Sequence, residues 1–202
     1  MSDPALLWDM AGTLIPYDPE TGRAGVLPGC DEYLPEIGKE FRMFVTTGDG
    51  CGSARAVLRG FDLLDHFEEI YGDLFAPVGK PYGAILKTVG GDPERSLAVG
   101  DRLRADVAAD TDRVVTVLIN QGEQLTNCAR VGFLIRQLRK RGKSFPDAFD
   151  VALAETTPDP EREGPAQGGE IVQAHRGKEG FGVNLWLFRH SLLNGDRRVV
   201  VI

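Results

Sequence analysis

The sequence predicts an α/β fold: a doubly wound parallel sheet of Rossmann-like type, followed by a C-terminal helical and β-hairpin extension. Three features carry this prediction. Short apolar runs alternate with amphipathic stretches through roughly the first 120 residues, as strands and helices taken in turn would. The runs are continuous, which suits strands buried on both faces. Several of them end on a polar residue, and the C-terminal strand ends are where open α/β sheets bind ligands.

Ala5–Trp8 is the first apolar run and ends at Asp9. Phe41–Val45 is the second and ends at Thr46, Glu69–Tyr71 is a weaker third, Ser96–Val99 leads into Gly100-Asp101, and Val114–Ile119 is rich in β-branched residues. Helical stretches separate them. Asp31–Lys39 follows Pro28-Gly29, and Tyr82–Val89 stops at Gly90-Gly91. Ser53–Arg59 starts on an expected N-cap serine and stops at Gly60. Leu103–Ala109 follows the Gly-Asp pair.

This core occupies residues 1–122, after which the pattern changes. A helical extension is expected over 123–155, with Leu125–Arg141 ending in basic residues and Gly142 as a helix dipole favours, then a second helix at Pro146–Glu155. Residues 156–169 are rich in Pro, Gly and Glu and read as a flexible linker. Residues 170–202 have strand character, and Asn194-Gly195 is a hairpin-turn signal. A lone hairpin is marginal in water. The tail is therefore expected to dock on the core, extend a sheet edge, or swap with a second chain in a homodimer.

The 202 residues suffice for one good-sized core. A formal charge of −7 argues against nucleic acid or a membrane surface as partner, since both are polyanionic. No run of about 18 apolar residues suggests a membrane span. Cys30, Cys51 and Cys128 are widely spaced and show no metal-knuckle pattern. With no signal-peptide pattern either, free thiols in a reducing cytoplasm are expected.

Asp9, Thr46 and Asp101 each fall at the C-terminal end of a predicted strand, so all three should meet in one crevice. These positions also carry a resemblance. Asp9-Met10-Ala11-Gly12-Thr13-Leu14 resembles motif I of the haloacid dehalogenase-like (HAD-like) hydrolases, commonly Asp-x-Asp-Gly-Thr-Leu. Thr46 in Phe44-Val45-Thr46-Thr47-Gly48 resembles motif II, Lys80 in Gly79-Lys80-Pro81 motif III, and Gly100-Asp101 with Asp106 motif IV. The resemblance spans roughly residues 5–120, with its motifs in the order the family uses.

The resemblance implies a capless phosphatase-like enzyme acting on a phosphorylated small molecule, with Mg2+ as cofactor. Asp9 would be the nucleophile, since a carboxylate can attack phosphorus. Thr46, with Thr47 as its close rival, and Lys80 would bind the phosphate and stabilise its spread charge. Asp9, Asp101 and the Ala11 backbone carbonyl would ligate Mg2+, which prefers oxygen donors. Asp106 would stand behind these ligands, or join them as it does in some members; read without the family it is a solvated helix residue.

Ala11 replaces the motif-I aspartate that serves the family as general acid and base. Such catalysis is typically worth ~10²–10⁴-fold, so ordinary alkyl phosphates should be poor substrates. Phosphonoacetaldehyde hydrolases share Asp-x-Ala-Gly-Thr, but they need a cap lysine, and residues 14–38 contain none. Three readings stay open: a hydrolase for phosphates with good leaving groups, with Asp49, Asp18 or Glu20 as stand-in acids; a domain that binds Mg2+ and phosphate, or scaffolds a partner, without turnover; and, disfavoured by the missing cap lysine, a phosphonatase-type C–P hydrolase.

Overall fold

The structure is a computed structural model that describes residues 3–18, 20–74, 80–102, 105–106, 114–119, 128–148, 170–176, 184–191 and 196–201. Its strands and helices in chain order are β1 (Ala5–Asp9), α1 (Cys30–Gly38), β2 (Arg42–Thr46), α2 (Cys51–Gly60), β3 (Glu69–Tyr71), α3 (Tyr82–Val89), β4 (Leu97–Gly100), β5 (Val115–Leu118), α4 (Cys128–Arg141), β6 (Glu170–Arg176), β7 (Asn184–Ser191) and β8 (Asp196–Val201). All five core strands fall within a residue of the apolar runs.

One sheet holds all eight strands in the order β3-β2-β1-β4-β5-β8-β7-β6. The first five are parallel. The chain therefore starts in the middle and winds outward both ways, which puts the β1–β4 boundary at the topological switch point. Asp9 lies opposite Thr46 in the β1–β2 register, and Trp8 lies opposite Val99. Asp9, Thr46 and Asp101 thus sit at one edge of the sheet.

Both faces are covered, which is why the strands read as continuous apolar runs. Leu6, Trp8, Val45, Val99 and Val117 pack against Leu34, Leu58, Leu134 and Leu138 of the helices on one side. Ala5, Leu7, Phe44 and Ala98 meet Tyr82, Ile85 and Leu86 of α3 on the other. Period-two alternation along β1 assigns its residues to the two cores.

The tail extends the sheet edge, one of the three outcomes open from sequence. β8 pairs parallel with β5, and β7 and β6 follow antiparallel. β7–β8 pairing agrees with the hairpin expected at Asn194-Gly195, although the turn itself lies outside the described residues. The linker at 156–169, most of the helix expected at Leu103–Ala109 and the end of the helix expected at Pro146–Glu155 also lie outside them; residues 145–148 are helical.

The expected cap of the second helix is corrected. α2 begins at Cys51 with Gly50 as N-cap, so Ser53 lies inside its first turn. The chain leaves β2 through Thr47 and Asp49, whose mutual hydrogen bonds tighten the turn before Ser53 is reached. Among the described residues no helix is long and apolar enough to cross a membrane.

Candidate active site

Asp9 closes β1 and is 7% exposed. Its Oδ1 accepts from the Lys80 ammonium, and its Oδ2 accepts from the Thr13 hydroxyl at 3.0 Å. Lys80 also donates to Asp106 Oδ1 at 2.7 Å and is itself buried. A cation just before α3, the wrong end of a helix for it, is held there by two carboxylates.

Asp106 is far from a solvated helix residue, being 1% exposed. Its Oδ1 also accepts from the Tyr82 hydroxyl at 3.2 Å, and its Oδ2 accepts from the backbone N–H groups of Asp101 and Arg102 at 3.1 and 3.0 Å. Both oxygens are engaged, so Asp106 braces Lys80 and the loop carrying Asp101. Tyr82 and Thr13 were missed by sequence reasoning. Thr13 was legible as the Thr of the Gly-Thr pair, whereas a helix-start tyrosine after Lys80-Pro81 gives no such signal.

Two glycines allow this closeness. Gly12 has φ +89°, and a Cβ there would lie 2.3 Å from Asp101 Oδ2. A Cβ on Gly100 would lie 2.2 Å from Asp106 Cγ. Any larger residue would push the motif-I loop off Asp101, or Asp106 off the strand end.

The turn after Asp9 is closed by Ile15 N–H on the Met10 carbonyl and Gly12 N–H on the Ile15 carbonyl, both at 2.9 Å. Ala11 lies half-buried within it, bridged to Ile15. The Thr46 hydroxyl donates to the Trp8 carbonyl at 3.2 Å, so it must release that carbonyl to meet a phosphate. Thr47 Oγ1 accepts from the Asp49 N–H at 3.2 Å and donates to the Asp49 carboxylate.

The stand-in acids fare unequally. Asp18 accepts from the N–H groups of Glu20 and Thr21 at 2.8 and 3.0 Å, anchoring a turn in residues 15–28, the short flap between β1 and α1. Those bonds lower its pKa, which makes it a poor proton donor. Glu20 is exposed in the same turn, and Asp49 is exposed beside Thr47.

Asp9, Asp101 and Asp106 present oxygens within 4.8 Å of one another. Three carboxylates face the Lys80 ammonium and, beside Asp101 at 3.8 Å, the exposed Arg102 guanidinium, so the cluster keeps an excess of negative charge that a bound cation would reduce. The donor set is all oxygen, so these residues fit Mg2+. Burial raises the Asp9 carboxyl from 3.8 to about 7; Lys80 opposes the shift, while Asp106 and Asp101 add to it. Burial and Asp106 raise Asp101 as well.

A pH dependence follows. Asp9 has a folded pKa above its unfolded value, so between about 4 and about 7 the folded state binds the extra proton and stability falls as pH rises. Mg2+ needs the carboxylate form. Its stabilisation should be small in acid and grow as pH rises through about 7. Melting curves with and without Mg2+ across this range test it; an increment independent of pH would contradict it.

Comparison with known proteins bears on the fold that holds these residues. Residues 25–109 match the family model described as haloacid dehalogenase-like hydrolase. Over this segment the chain resembles the HAD-like hydrolases. The matched segment holds Thr46, Lys80, Asp101 and Asp106; Asp9 precedes it and joins through the β1 pairings. A HAD-superfamily hydrolase from Ehrlichia chaffeensis aligns at TM-score 0.54 and 14% identity, covering 69% of this chain and 99% of that one. A subfamily IA hydrolase from Geobacter sulfurreducens aligns at 0.53 and 16%, covering 66% and 100%. The HAD-hydrolase YfnB from Bacillus subtilis, solved bound to magnesium, aligns at 0.51 and 11%, covering 67% and 99%. At these identities the three show the fold alone. No curated protein matches the chain.

Proposed function

We propose that this HAD-like domain is a phosphohydrolase for small acyl phosphates or phosphoanhydrides, working through an aspartyl-phosphate on Asp9. The observation that carries the reading is the buried Asp9–Lys80–Asp106 chain at the strand ends, combined with an alanine where the acid–base residue would stand. The Asp9 carboxylate attacks phosphorus; the new O–P bond forms as the bond to the leaving group breaks. That group departs with the electron pair, and a carboxylate or phosphate leaving group needs little protonation. Water then attacks the aspartyl-phosphate and releases inorganic phosphate. Its proton passes to solvent.

Lys80 is held against Asp9 and meets charge developing on the transferring group. Thr46 and Thr47 supply hydroxyls at the neighbouring strand end. Asp9, Asp101 and the Ala11 carbonyl would hold Mg2+, with Asp106 behind them. When bound, the ion supplies charge neutralisation on the phosphoryl oxygens.

The test is acetyl phosphate hydrolysis with Mg2+. Turnover is expected in the wild type, and Asp9→Asn should abolish it because an amide cannot serve as the nucleophile. Turnover that survives Asp9→Asn would overturn the reading. One observation favours a second reading: Ala11 leaves no acid–base partner on the motif-I loop, which also suits a domain that binds Mg2+ and phosphate without turnover. Saturable phosphate binding with no hydrolysis of acetyl phosphate would decide for it.

A further inference from the structure

We propose a second ligand site at the end of the sheet opposite Asp9, one that takes a short chain of phosphates. A cavity of about 320 Å3 is lined there by Arg95, Arg139, Gly142, Lys143, Ser144 and Phe145. The fold fixes its location. Arg95 closes the short 3-10 turn two residues before β4, whose other end leads to Asp101. α4 starts at Cys128, which donates its N–H to the Pro28 carbonyl beside the flap, and its last turn carries Arg139, with Gly142 following its end.

The lining carries three cations and no acid, in a chain of formal charge −7. Arg139 is the oriented one. Its guanidinium pairs with Glu40 and lies 4.7 Å over the Phe41 ring. Burial also lowers its pKa, as expected of a cation drawn partly out of water. Arg95 and Lys143 are exposed and have no ion pair among the described residues. Counting Glu40, the cluster keeps a surplus of two positive charges. Ser144 is 8% exposed; its Oγ accepts the Asp147 N–H at 3.1 Å, leaving its hydroxyl hydrogen free to donate.

These groups select an anion of several charges. Guanidinium forks match phosphate oxygens in pairs, and lysine adds a point charge. A monoanion would leave part of the cluster uncompensated. The volume lies at the small end of the ~300–1,000 Å3 range of ligand sites. Phe145 argues against recognition of a base, because it is 4% exposed and packed on Phe41 with ring centres 6.1 Å apart. It forms the floor of the cavity and offers no open face for stacking. The phosphate chain itself is therefore the ligand, whether free or attached to a nucleoside.

Calorimetry on the full chain in EDTA, which withholds Mg2+ and so prevents turnover of an anhydride at Asp9, tests this with inorganic tripolyphosphate and a non-hydrolysable nucleoside triphosphate. Both should bind with similar affinity, and binding should weaken with added salt. Joint replacement Arg95→Glu and Lys143→Glu should weaken it by about tenfold or more, while Asp9→Asn should leave it unchanged. If the reversed pair folds poorly, Arg95→Ala with Lys143→Ala should show a loss in the same direction and keeps Arg139 packed on Phe41. Much tighter nucleotide binding would overturn recognition of the phosphate chain alone. Binding lost in Asp9→Asn but kept in the paired variants would place the ligand at the active site. The absence of any saturable heat from tripolyphosphate at low salt would remove the site.

Discussion

Ala11→Asp is expected to create or strongly raise hydrolysis of alkyl phosphates, by up to about 10²–10⁴-fold, the usual worth of general acid–base catalysis. The substitution restores a carboxyl two residues after Asp9, on a turn already closed by the Ile15–Met10 and Gly12–Ile15 hydrogen bonds. Backbone geometry therefore need not change to receive it. The gain should appear in kcat on alkyl phosphates and be small for acetyl phosphate, whose leaving group needs little protonation. Comparing the two substrates in wild type and variant checks this. Equal gains on both would mean that the aspartate acts through metal affinity or charge, not as a proton donor.

Asp106→Ala should be the most destabilising change in the site, at about 3–5 kcal/mol, the range for breaking a buried ion pair. It leaves the buried Lys80 with Asp9 alone, and it strips acceptors from the Tyr82 hydroxyl and from the N–H groups of Asp101 and Arg102. One effect opposes this. Asp106 is a like charge that raises the pKa of Asp9, and removing it relieves that repulsion. The hydrogen bonds decide the sign, because each orphaned buried group costs about 1–3 kcal/mol. Urea unfolding measures the change. A loss below about 1 kcal/mol would show that water or Asp9 takes over the orphaned donors.

The core was open to sequence reading for a physical reason. A strand buried on both faces must be apolar throughout, so Ala5–Trp8 and Val114–Ile119 announced themselves. The polar residues that interrupt such runs at the C-terminal ends, Asp9, Thr46 and Asp101, then had one place to meet. Loop chemistry was less legible. Ser53 looked like a helix cap, but the Thr47–Asp49 turn started the helix earlier. Asp18 looked like an available acid, but the flap uses it to bind two N–H groups.

By itself the sequence determined the alternation that makes a parallel sheet, the carboxylates and the lysine that gather at the ends of its strands, and the alanine two residues after Asp9. Tertiary structure alone decided three things. It buried Asp106 among four donors, because the chain after Asp101 turns back under the strand end where Gly100 has no side chain. It recruited Tyr82, whose hydroxyl reaches Asp106 across 24 positions of sequence. It joined the C-terminal strands to β5, since the edge of a parallel sheet presents unpaired N–H and C=O groups and a marginal hairpin gains its stability by pairing with them.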